Sequence, residues 1–94
     1  MADLTTSEQL RAARAMLLTE PEALSRASKV PLATLQRLEG ARGPLGADGA
    51  TLTALQRALE AAGVEFTDDG GPGVRMKADA ASISVEELNA TNDE

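Results

Sequence analysis

Apolar residues recur at helical spacing through the first two thirds of the chain, in four short stretches separated by turn-forming residues. Leu10, Ala13 and Leu17 stand at i, i+3 and i+7, one buried stripe of a helix. Thr6-Ser7-Glu8 offers an N-cap just ahead, so a first helix is predicted from about Ser7 to Leu18. A second, from about Pro21 to Ser28, turns Ala23, Leu24 and Ala27 inward. Thr19 is its expected cap, and Pro21 is tolerated early because a first-turn N–H has no intrahelical partner. Pro31 disfavours helical geometry at Val30, which ends that helix and makes Lys29-Val30-Pro31 a tight connection. The third helix, Leu32 to Glu39, buries Leu35 and Leu38 and leaves Leu32, Ala33, Gln36 and Arg37 outward. Residues 40–49 hold four Gly and one Pro and read as a loop. A fourth helix, about Ala50 to Ala62, lines up Leu52, Leu55, Leu59 and Ala62 before a capping Gly63.

The pattern then changes. Residues 64–67 and 73–77 alternate like short strands around Asp68-Asp69-Gly70-Gly71-Pro72, which predicts a β-hairpin. Its apolar residues Val64, Phe66, Val74 and Met76 either pack on the helices or form part of a dimer interface. Residues 78–94 are polar and acidic. Ser84-Val85-Glu86-Glu87 has the spacing of a capping box, but the segment reads as disordered. The organisation is therefore a helical domain over residues 1–63, a hairpin extension over 64–77 and an acidic tail over 78–94. The fold class is mostly α: a compact bundle of about four helices, a short β-hairpin and a flexible tail.

Composition supports helix. Of the 94 residues, 18 are Ala and 13 are Leu, both strong helix formers, and Phe66 is the single aromatic. With no Cys and no His, a thiol nucleophile, a Ser-His-Asp triad and an ordinary zinc site are excluded. Gly70-Gly71-Pro72-Gly73 lacks the Lys-Ser/Thr and the helix of a phosphate loop, and Asp68-Asp69 has too few neighbours for a calcium site. No catalytic, metal or cofactor site is expected. No apolar run approaches the roughly 20 residues of a membrane span, and a cytoplasmic protein is expected.

Charge is divided unevenly. The net charge of −6 argues at first against a polyanionic partner. Residues 1–63, however, carry seven basic and seven acidic residues, so all the net acidity falls in residues 64–94. Within residues 26–42, Arg26, Lys29, Arg37 and Arg42 face only Glu39, a local +3.

Two short helices joined by a three-residue turn are the generic form of a helix-turn-helix. The residues Leu10-Arg11-Ala12-Ala13-Arg14, Glu22-Ala23-Leu24-Ser25-Arg26-Ala27-Ser28 and Leu32-Ala33-Thr34-Leu35-Gln36-Arg37-Leu38-Glu39 carry a resemblance to the lambda-repressor-like, Xre-type family of small transcription regulators. Residues 51–64 resemble that family's closing helix. The resemblance implies a bacterial-type, DNA-binding repressor acting as a dimer, its recognition helix at about 32–39. It implies base contacts from Leu32, Ala33, Thr34 and Arg37 and a phosphate contact from Arg42; helical spacing adds Gln36 to the outward candidates, and Lys29, where the family usually has Gly, can reach a phosphate. It also implies a structural salt bridge between Arg14 and Glu39. Arg37 can donate two hydrogen bonds to guanine, and Leu32 or Ala33 can touch a thymine methyl.

The chain departs from the family pattern at the helix starts. Pro21 and Pro31 each remove a backbone donor where phosphates are held, Glu20 and Glu22 add negative charge there, and Lys29 stands where the turn usually has Gly. DNA binding weaker or more salt-sensitive than the family norm is expected. The alternatives are a protein-binding adaptor or anti-activator that keeps the fold, and an antitoxin whose acidic tail holds a toxin. The hairpin or the tail would hold such a partner, and the tail would otherwise compete with DNA for the basic stretch.

Overall fold

The computed structural model describes residues 2–77, so the expected acidic tail over 78–94 lies outside the described residues. Four helices, α1 (Ser7–Met16), α2 (Pro21–Ser28), α3 (Leu32–Glu39) and α4 (Gly49–Ala61), precede two strands, β1 (Val64–Thr67) and β2 (Gly73–Met76). The fold is mostly α. No helix among the described residues is long and apolar enough to cross a membrane.

α1 starts where its cap dictates. The Thr6 hydroxyl accepts the Gln9 N–H at 3.1 Å, and the Gln9 Oε1 accepts the Thr6 N–H at 3.0 Å, a complete capping box. α1 ends at Met16, two residues before the expected Leu18. Leu18 turns left-handed at φ 54°, and Leu18 N–H and Thr19 N–H donate to Ala15 O and Arg14 O. These two bonds close a Schellman motif in which Leu occupies the position usually taken by Gly. Thr19 does not cap α2. Its hydroxyl donates to Leu17 O, and Glu20 is the N-cap without a side-chain bond.

On α2 the buried stripe runs through Leu24 and Ser28, while Ala27, expected inward, is exposed. Ser28 can be inside because its hydroxyl donates to Leu24 O at 2.7 Å, four residues back. α4 begins one residue early, at Gly49, because the Asp48 carboxylate accepts the Thr51 N–H at 2.9 Å. It ends at Ala61, so Ala62 is a solvent-facing cap and not part of the apolar stripe. Gly63, at φ 112°, turns the chain into β1.

One core holds the whole body. Leu10, Ala13, Leu24, Val30, Leu35, Leu38, Leu55 and Leu59 from the helical region cluster with Val64 and Phe66 of β1. Burying each Leu contributes about 1.5–3 kcal/mol. The hairpin pairs Val64 with Met76 and Phe66 with Val74 in antiparallel register. Val64 and Phe66 are buried and Val74 packs on the core, whereas Met76 is 41% exposed. Two strands alone are marginal in water, and here the helices supply their missing layer.

Two core members, Leu4 and Leu45, belong to no periodic stretch. The glycine-rich connection is tied to the N-terminal segment by Ser7 N–H to Gly43 O and Leu45 N–H to Thr5 O, both 2.9 Å, which draws both leucines inside. Buried Gln9 also donates through Nε2 to Gly73 O, joining α1 to the hairpin.

Ser7 is fully buried, and its hydroxyl has no hydrogen-bond partner among the described residues. An unsatisfied buried hydroxyl costs about 1–3 kcal/mol. Ser7→Ala is therefore expected to stabilise the protein by about 1 kcal/mol, read as a higher urea midpoint at an unchanged m-value.

Candidate nucleic-acid interface

Side chains of α3 advance about 100° per residue, and that rotation sorts them. Leu35, Leu38 and Glu39 are buried, and Ala33, Gln36 and Arg37 form the exposed face. Leu32 and Thr34, which the family resemblance places on the outer side, lie on the two flanks of this face and are half-buried. The outward group is thus narrower than expected.

The connection before α3 is held by its own side chains. Ser25 Oγ donates to Val30 O at 2.6 Å, and Val30 N–H donates to Ser28 Oγ at 3.3 Å. Val30 is buried, so the turn is pinned to the core. Lys29 is exposed and adopts φ 63°, ψ 24°, the left-handed region that costs a non-glycine residue about 1 kcal/mol. Lys29→Gly is expected to raise stability by up to about 1 kcal/mol in thermal unfolding. In a DNA-binding assay it should remove about one counterion from the salt slope.

The two helix starts differ. At α2, Pro21 lacks a donor, Ala23 N–H is taken by Glu20 O, and exposed Glu20 and Glu22 surround the site. At α3, Pro31 is the N-cap and lies outside the helix. The expected loss of a donor therefore falls on the N-cap position and spares the first turn of α3. The first-turn N–H groups of Leu32, Ala33 and Thr34 make no hydrogen bond among the described residues. No side chain caps them, so this terminus keeps the partial positive charge that favours an anion.

Two arginines of α1 fix the far end of α3. Arg14 Nε lies 2.8 and 3.0 Å from the two Glu39 carboxylate oxygens, and Arg14 Nη2 lies 2.7 Å from Oε1. Arg14 Nη1 also donates to Thr19 O at 2.9 Å. The bond to Glu39, with the further fields of Glu20 and Glu22, raises the Arg14 pKa. Arg11 donates to the backbone carbonyls of Glu39 and Ala41, occupying orphan acceptors at the α3 C-terminus. Sequence reasoning missed this role of Arg11. Its only signal was the i, i+3 spacing from Glu8, which now reads as a 3.7 Å ion pair.

Beyond α3, Arg42 is exposed and Gly43 N–H donates to the Glu8 carboxylate at 3.1 and 3.2 Å. The backbone N–H groups of Glu8 and Gly43, with the charges of Arg11 and Arg42, hold the Glu8 carboxyl below its usual range. Arg26, Lys29, Arg37 and Arg42 make no ion pair among the described residues, whereas Arg11, Arg14 and Arg75 each do. The described residues contain no cluster of three or more acidic residues that could hold a metal ion.

Compared with known protein families and with curated proteins, the chain matches none.

Proposed function

We propose that the protein is a sequence-specific DNA-binding transcription regulator of the lambda-repressor-like, Xre type, acting as a repressor by occupying its operator as a symmetric dimer. α3 enters the major groove. Arg37 and Gln36 read base edges, Ala33 meets a thymine methyl, and Lys29 and Arg42 hold phosphates on either side. The observation that carries this reading is the exposed Ala33-Gln36-Arg37 face set between cations, Lys29 and Arg42, that make no ion pair among the described residues. The free first-turn N–H groups of α3 add a phosphate site where the α2 terminus offers a poor one.

Selection from a randomised duplex pool, followed by footprinting, tests the reading. The expected product is a near-palindrome with half-sites about 10 base pairs apart, contacted by two chains. A pool with no enriched sequence would contradict it.

The second reading, a protein-binding adaptor, is favoured by the acidic α2 start and by Leu18, 92% exposed in a strained conformation. It predicts a stable protein complex and no footprint. The antitoxin reading rests on the tail, outside the described residues.

A further inference from the structure

The charge left over by the fold has one match within the same chain. Of the nine basic residues, Arg11, Arg14 and Arg75 are engaged in ion pairs. Arg57 and Lys77 have no ion pair among the described residues, but each lines a groove with acids, Arg57 with Asp3 and Glu60 and Lys77 with Glu60 and Glu65. Arg26, Lys29, Arg37 and Arg42 are exposed, lie in or next to the α2–α3 unit, and have no ion-pair partner among the described residues. Of the acids nearest this unit, Glu39 is taken by Arg14 and Glu8 by Gly43 N–H and Arg11, and only Glu20 and Glu22, at the α2 start, are exposed without an ion pair among the described residues. Residues 78–94 contain Asp79, Glu86, Glu87, Asp93 and Glu94 and no basic residue at all.

We infer that the cationic surface around α3 is the docking site of the chain's own acidic segment, residues 78–94, which covers it in the free protein and is displaced by DNA. Three physical facts favour this occupant. The first is complementarity: residues 78–94 hold five carboxylates and no cation, and the cations around α3 have no ion pair among the described residues. The second is the tether. Lys77 N–H donates to Gly63 O at 2.8 Å, so the segment departs from a fixed point at the end of β2. The third is reach. The random-coil span of 17 residues is on the order of 21–25 Å, about twice the roughly 11 Å radius of gyration of a body this size. A tether of that length gives a local concentration in the millimolar range, enough for weak, screened contacts to compete with an external polyanion. The result is intramolecular competition that lowers DNA affinity most at low salt and fades as salt rises. The effect on DNA rests on the proposed DNA-binding function, but the contact itself does not.

The absence of cysteine permits a clean test on the full chain. A spin label on Ala90→Cys is expected to broaden amides of Lys29, Ala33, Gln36, Arg37 and Arg42 at low salt, without DNA. The broadening should vanish at about 1 M salt, where the Debye length is about 3 Å. It should also vanish when Glu86, Glu87, Asp93 and Glu94 are changed to their amides. That neutralised variant should bind duplex DNA about tenfold more tightly than wild type at low salt, and equally at high salt. Broadening that is absent, or that falls on α4 or the hairpin, would overturn the inference. Broadening at α3 in a protein that binds no DNA, neutralised or not, would support the docking contact and overturn the DNA-binding function. DNA binding that the neutralised variant does not strengthen would overturn the competition.

Discussion

Arg14→Ala is expected to lower the unfolding free energy by about 3 kcal/mol, among the largest effects of any single charged residue here. Glu39 lies with only 10% of its side chain exposed and accepts three bonds from the Arg14 guanidinium. Truncating Arg14 leaves that carboxylate nearly buried without a counter-charge and strips Thr19 O of its donor at the strained end of α1. The opposite deletion is milder. Glu39→Gln should cost about 1–2 kcal/mol, since Arg14 keeps Thr19 O and a quarter of its side chain meets water. Replacing both with Met and Leu should cost less than the sum of the single changes, because no charge is then stranded. Urea unfolding at an unchanged m-value checks all three. An Arg14→Ala variant within about 0.5 kcal/mol of wild type would make the pair an ordinary surface contact.

The ion pair matters to the candidate site because Glu39 is the last residue of α3. Together with Arg11 it sets how the helix sits on α1. This end of α3 was legible in the sequence only in part. The pairing of Arg14 with Glu39 was implied by a family pattern. Arg11 gave no comparable signal, because reaching backbone carbonyls 28 and 30 residues away depends on tertiary structure. Proline made other features easy to read. Pro21 and Pro31 punctuate the chain, and α2 and α3 begin and end at the residues the pattern indicates. Alanine made some features hard. Ala27 and Ala62 are small enough for either side of a helix, so apolarity alone misplaced them, while the self-satisfied hydroxyl of Ser28 went inside. Leu4 and Leu45 carried no periodic signal because their burial comes from the bonds between residues 5–7 and 43–45. At the α3 start, one position decided the outcome. A proline at the N-cap, unlike one inside the first turn, leaves the helix its first-turn donors.

The second large effect is expected at Arg37. In Arg37→Ala, affinity for the selected operator should fall by about 1–3 kcal/mol, roughly 5- to 150-fold, with the loss concentrated at a single guanine position in each half-site. Affinity for unrelated duplex should fall far less, by the share of one screened charge. Stability should be nearly unchanged, since Arg37 is exposed and makes no ion pair among the described residues. Competition binding with operator and scrambled duplexes measures both numbers. Equal losses on the two duplexes would make Arg37 a phosphate contact, and base reading would then pass to Gln36.

The central claim is that α3 and its flanking cations bind duplex DNA, and a salt titration of the full chain on the selected operator tests it most directly. Above the salt concentration at which residues 78–94 leave α3, log affinity should fall linearly with log salt at a slope of about −0.9 for each phosphate neutralised, and below it the line should flatten. The slope should shrink by about one unit for each of Lys29→Ala and Arg42→Ala, singly and together. Wild-type protein that binds no duplex even at about 10 mM salt, where screening is weakest, would contradict the account.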